Sequence, residues 1–117
     1  MAGEAQADCV FCRIVAGEIP ATVVRKSERT LTFRDINPQA PTHLLVIPRV
    51  HYPNAAELAA AEPEIAAELL VEAGEAARGE GLAAYRLIFN TGADAGQTVF
   101  HAHVHVLGGE PLTEGLV

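Results

Sequence analysis

Three of the chain's five histidines alternate with apolar residues in the segment His101-Ala102-His103-Val104-His105-Val106-Leu107. In an extended strand, side chains at i, i+2 and i+4 share a face. The three imidazoles therefore project together at intervals of roughly 6.7 Å, while Ala102, Val104 and Val106 face the core. Imidazole titrates nearest neutrality, so such a face can accept and donate protons, attack phosphorus or bind a metal. A solvated strand face that happens to carry histidines is the plain alternative. A His-x-His metal site is another, but no carboxylate stands in or beside the strand to complete it, which favours covalent chemistry. The preceding stretch Asn90-Thr91-Gly92-Ala93-Asp94-Ala95-Gly96-Gln97-Thr98 supplies flexible backbone, amides and a hydroxyl. Taken alone it is a hairpin connection; next to three histidines it reads as a loop that aims N–H groups at an anion.

Cys9 and Cys12 are the only cysteines. They are too close in sequence to staple a useful loop, and C-x-x-C in a cytoplasmic chain reads as redox or metal. The β-α-β context of a thioredoxin-like motif is absent. A tetrahedral zinc needs four ligands, of which this pair supplies two.

The elements that must position these residues follow from pattern. Asp8 is expected to cap a short helix running through Ala16, with Phe11, Ile14 and Val15 as its apolar side and Gly17 as its stop. Ala21 to Lys26 and Thr30 to Asp35 alternate apolar with polar residues around a polar turn, as in a hairpin. After the rigid run Asn37 to Pro41, His43 to Ile47 reads as a central strand stopped by Pro48. Pro63 to Arg78 reads as the long helix, with proline in its first turn, Ile65, Leu69, Ala73 and Ala76 as its stripe and Gly79 as its cap. Ala84 to Asn90 and Phe100 to Leu107 are the remaining strands. Ala55 to Ala61 is only weakly patterned. Strands interrupted by one long helix, without regular alternation, imply an antiparallel α+β domain.

With 117 residues, half of them apolar, the chain is expected to form one domain over 1–117, with 1–7 flexible and 110–117 a short tail. No window approaches the roughly 20 apolar residues of a membrane span, and Met1 to Asp8 lacks a secretion pattern, so a cytoplasmic protein with no membrane partner is expected. Acidic residues outnumber basic ones 15 to 8, and the basic ones are scattered, which argues against a nucleic acid polymer. A single nucleotide remains possible, because backbone N–H groups and histidines can hold one phosphate.

The segment from His101 to Leu107 resembles the signature of the histidine triad superfamily, His-φ-His-φ-His-φ-φ with φ apolar, at every position. The resemblance extends through Phe33 to His43, Val46-Ile47-Pro48, Asn90 to Thr98 and Leu107-Gly108-Gly109. It is closest to the Hint branch of nucleoside phosphoramidases. It implies a five-stranded antiparallel sheet with two helices, dimerising through the long helix and the strand after it into a ten-stranded sheet. It further implies a purine nucleotide substrate, with His103 attacking the α-phosphorus of a phosphoramidate or acyl nucleotide to form a nucleotidyl-histidine that water resolves. By the same resemblance His105 contacts the phosphate and helps protonate the leaving group, His43 orients or relays protons, and Asn90, Gln97 and Thr98 are donors. Asp35 grips the ribose, and Phe33, Ile36, Val10, Phe11 and Ile14 surround the base, although each of these apolar residues could equally be core. Relatives with this C-x-x-C bind zinc with two further histidines, here His51 and His101, which makes Cys9, Cys12, His51 and His101 a structural zinc site.

Two features depart from the nearest pattern. Thr98 stands where serine is frequent, keeping the hydroxyl, and Glu110 stands where arginine is frequent. The tail Pro111 to Val117 lacks the aromatic residue some relatives carry. Dinucleoside polyphosphate hydrolysis, or a nucleotide-binding adaptor with weak turnover, are the competing readings. Gly108-Gly109 and the intact His103 favour the phosphoramidase.

Overall fold

The computed structural model describes residues 3–114. Of the expected flexible N-terminus and short tail, residues 1, 2 and 115–117 lie outside the described residues. In chain order the elements are α1 (Val10–Val15), β1 (Val23–Lys26), β2 (Thr30–Arg34), β3 (Thr42–Pro48), α2 (Ala55–Ala61), α3 (Pro63–Gly79), β4 (Tyr85–Ile88) and β5 (Val104–Gly108), with a 3₁₀ turn at Ala93–Ala95 between the last two strands. The strands form one antiparallel sheet in the order β1-β2-β3-β5-β4. The α+β class and the five strands are as expected. The helices differ, being three among the described residues rather than two.

Side-chain alternation divides the sheet into two faces. On one, Leu44 and Val46 of β3 with Ala102, Val104 and Val106 pack against Leu69, Ala73 and Ala76 of α3. On the other, Leu31, Phe33, Leu45 and Ile47 pack against Phe11, Cys9 and Cys12 around α1. The histidines belong to this second face. Leu45 pairs with His105 and His43 with Leu107, so His43 and His105 are diagonal neighbours on the two central strands.

Several boundaries moved for physical reasons. The cap of α1 is Cys9, whose Sγ accepts the Cys12 N–H at 3.3 Å, so Asp8 is left outside the helix. The last strand begins at Val104 rather than Phe100. Continuing the β3–β5 register beyond Val46↔Val104 would set Ala102 against Pro48, which has no N–H to offer. The Pro48 carbonyl instead accepts from the His101 ring, and Ala102 N–H turns to the Tyr52 carbonyl. The strand expected over Ala84 to Asn90 is confined to Tyr85–Ile88. The long helix takes in Gly79 and ends at Glu80, and the left-handed residue that releases the chain is Gly81, at φ 76°.

The weakly patterned alanine stretch is helix α2. Asn54 Oδ1 accepts the Glu57 N–H at 2.9 Å, and the Glu57 carboxylate accepts from Asn54 Nδ2 at 3.3 Å. Leu58 is its one buried side chain among the described residues, which is why no stripe shows in the sequence.

Candidate active site

A cavity of about 340 Å3 opens between α1, the end of β2 and the β5 histidines. Nine residues singled out from the sequence line it: Val10, Phe11 and Ile14 from α1, Phe33, Asp35 and Ile36 at the end of β2, and Thr98, His103 and His105. Phe11 stands edge-on to Phe33 and to His103, with ring centroids 5.5 and 5.2 Å apart, making a flat apolar slot beside the nucleophile candidate. Ile36 is 98% exposed at the mouth, an aliphatic side chain without an intramolecular shelter. Ile19, Pro20, Ala21, Leu45 and Val99 also line the cavity and escaped the sequence reading. Leu45 could have been found, since it lies two residues from His43 on the same strand face.

Hydrogen bonds assign each ring its proton. His103 Nδ1 lies 2.7 Å from the His101 carbonyl, which only accepts, so Nδ1 carries the hydrogen and Nε2 keeps its lone pair. Gln39 N–H donates to His43 Nδ1 at 3.0 Å, which puts the His43 hydrogen on Nε2. That hydrogen is donated to His105 Nδ1 at 2.9 Å, leaving His105 with an Nε2–H. Asp35 ties into the same chain. One carboxylate oxygen accepts Asn37 N–H at 2.8 Å, and the other lies 3.4 Å from His43 Nε2. A lone-pair nitrogen and an N–H donor thus share one cavity wall, their rings 5.0 Å apart.

Asn90 and Gln97 do not line the cavity. Asn90 stands two residues past Ile88, the last residue of β4, which pairs with His105. Gln97, expected as a donor to the ligand, is buried and already bonded. Its Oε1 accepts Gly92 N–H at 2.8 Å, and its Nε2 donates to the carbonyls of Pro53 and Val99 at 2.7 and 3.0 Å. It shapes the loop that carries Thr98, because all its amide hydrogens are taken.

Behind the cavity lies a second cluster. Cys9, Cys12, His51 and His101 are all buried, and their ligand atoms lie within 4.8 Å of one another. Zinc–sulfur and zinc–nitrogen bonds at tetrahedral angles give S···N edges of roughly 3.5 Å and N···N edges of roughly 3.3 Å. Here the S···N distances are 3.4, 3.3 and 3.6 Å and His51 Nδ1 to His101 Nδ1 is 3.2 Å. The Nε2–H of His101 donates to the Pro48 carbonyl at 2.8 Å, which leaves Nδ1 unprotonated toward the thiols, as a metal-bound imidazole requires. The donor set fits a metal ion.

The HIT domain family matches residues 16–112. The chain belongs to the HIT family. It is 40% identical over 107 residues to the purine nucleoside phosphoramidase of Escherichia coli strain K12, covering 90% of each chain. A solved HIT family hydrolase from Clostridium thermocellum matches with a TM-score of 0.90 at 40% identity, covering 96% of this chain and 99% of that one. One from Legionella pneumophila Philadelphia 1 matches with 0.88 at 46% identity, covering 92% and 98%.

In this HIT chain, burial governs the histidines. It pushes His101 down to about 4, helped by the charges of His51 and His103 and opposed by the Pro48 hydrogen bond. His105 is also pushed down to about 4, by burial and then by His103 and His43, with Asp35 pulling the other way. Burial lowers His103 and His43 as well, and Asp35 opposes both. The HIT histidines are therefore neutral at pH 7, the state in which imidazole is a nucleophile and a ligand.

Proposed function

We propose that this chain is a purine nucleotide hydrolase that cleaves a bond at the α-phosphorus, with nucleoside phosphoramidates or acyl nucleotides as substrates. The observation that carries the reading is the His103 tautomer: Nδ1–H is held by the His101 carbonyl, and a neutral Nε2 lone pair stays free on the cavity wall. In the first step His103 Nε2 forms a bond to phosphorus as the bond to the leaving group breaks. The His105 Nε2–H hydrogen-bonds on the leaving side, its geometry set by the His43 and Asp35 chain. The leaving group departs with the His105 Nε2 proton. Water then attacks phosphorus, its hydroxyl going to the nucleotide and its other proton restoring the His105 Nε2–H, as the bond to His103 breaks and His103 is freed. The ribose hydroxyls donate to Asp35, the base lies in the slot of Val10, Phe11, Ile14, Phe33 and Ile36, and Thr98 with the neighbouring loop backbone holds the phosphate. The similarity to the E. coli purine nucleoside phosphoramidase supports this assignment.

The cluster of Cys9, Cys12, His51 and His101 holds structural zinc in this reading. The ion would tie α1 to the segment that leads into β5, and His101 is then scaffold rather than catalyst. A second copy of the chain packs on α3 and β4 to make a dimer. Incubation with an adenosine phosphoramidate, acid-free quenching and mass spectrometry should trap a nucleotidyl adduct on His103. His103→Ala should lose both adduct and turnover. Turnover that survives this substitution would falsify the mechanism.

A further inference from the structure

The metal cluster has a side open toward the N-terminal segment, and three observations there converge. First, Gly3 and His51 exchange two backbone hydrogen bonds, 2.9 Å from Gly3 N and 3.2 Å from His51 N. Gly3 sits at φ 87°, a left-handed conformation that suits glycine, and a Cβ there would stand 3.5 Å from the Tyr52 hydroxyl. Second, Cys9 N–H donates to the Gln6 carbonyl at 3.1 Å. Residues 3–6 thus run as a strap from one ligand, His51, to another, Cys9, at the head of α1. Third, a cavity of about 270 Å3 beside the strap is lined by Gln6, Asp8, Cys9 and His51. Asp8 is exposed, takes no part in capping α1, and acts by its charge on both Cys12 and His51.

We infer that the segment Gly3–Asp8 is the port through which a divalent cation enters and leaves the Cys9, Cys12, His51 and His101 site. Asp8 receives the incoming ion, and the Gly3–His51 bridge holds the ligand set closed. This rests on the reading of the cluster as a zinc site. A carboxylate lining a cavity with two ligands, Cys9 and His51, on its wall concentrates cations where they are to be captured. The strap acts on the reverse process. An ion leaves by losing ligands one at a time, and the two bonds to Gly3 hold the His51 main chain against moving its imidazole away from the site.

The test compares the full chain with Asp8→Asn and Gly3→Val, reading Zn2+ uptake by the metal-free protein and Zn2+ release to a chromogenic chelator. Asp8→Asn should slow uptake on the order of tenfold at low ionic strength, with the difference fading in high salt. Gly3→Val should speed release by about tenfold, the scale of one to two backbone hydrogen bonds. One ion per chain and an unchanged Co2+ spectrum should accompany both. Deleting residues 1–6 removes the strap without adding a side chain and should match Gly3→Val. If only Gly3→Val speeds release, the backbone strain of a β-branched residue at φ 87° is the cause and the strap has no such role. Equal uptake and release in all variants overturns the port while leaving the zinc site standing. A full chain that takes up no Zn2+ overturns both.

Discussion

His101 and His103 are two residues apart on the same face, yet each meets a different carbonyl through a different nitrogen. His101 uses Nε2 toward Pro48, and His103 uses Nδ1 toward His101. One ring consequently points a lone pair at the thiols and the other keeps one for the cavity. Their neutrality sets the pH response. A base whose folded pKa is lowered stays unprotonated below its ordinary 6.5. The acid limb of kcat/KM should therefore lie below 6.5; a limb centred at or above 6.5 would contradict neutral buried imidazoles. The stability contribution has the same sign. It is complete above 6.5 and is lost as the pH falls from there toward about 4, where His105 protonates in the fold.

At the scale of elements, α2 is the sensitive test of local reasoning. With Leu58 as its buried anchor it leans on the Asn54 cap more than α3 does on any cap, since α3 buries Ile65, Leu69, Ala73, Ala76 and Ala77 and has no side-chain cap bond. Asn54→Ala should cost about 1 kcal/mol in a denaturant or thermal melt. No measurable loss would mean that the α2–α3 junction, where Glu62 leaves helical geometry before Pro63, holds the helix by itself. The cap signal Asn54-x-x-Glu57 was present in the sequence, whereas an apolar stripe was not. The early end of the β5 ladder was also latent in a residue type, because Pro48 cannot donate across to Ala102, but only once the strands were known to be neighbours.

For the whole molecule, the relevant feature is the outer side of α3 and β4. Leu70, Val71 and Tyr85 are 50%, 59% and 43% exposed there, and β4 is the sheet's edge strand. A row of unpaired strand groups beside exposed aliphatic side chains is what a symmetric partner would cover. Val71→Glu should convert the proposed dimer to monomer in sedimentation or light scattering, since a symmetric interface would set two such carboxylates in a desolvated apolar patch. A wild-type chain already monomeric at high micromolar concentration would remove this part of the reading.

The sequence by itself determined the strand alternation, the long helix and the histidine pattern, because periods of 2.0 and 3.6 and the turn chemistry of proline and glycine are local properties. The residue types at His43, His103 and His105, at Asp35 and in the C-x-x-C were likewise visible, and the family pattern named their company. The family resemblance already divided the three histidines among different roles; only the tertiary structure decided their tautomers, since a tautomer depends on which carbonyl or N–H lies opposite each nitrogen. It brought Asp35 beside His43, turned Gln97 away from the cavity and laid Gly3 along His51, none of which the sequence foretold. Those are contacts between segments distant in the chain, and packing, not local propensity, chooses them.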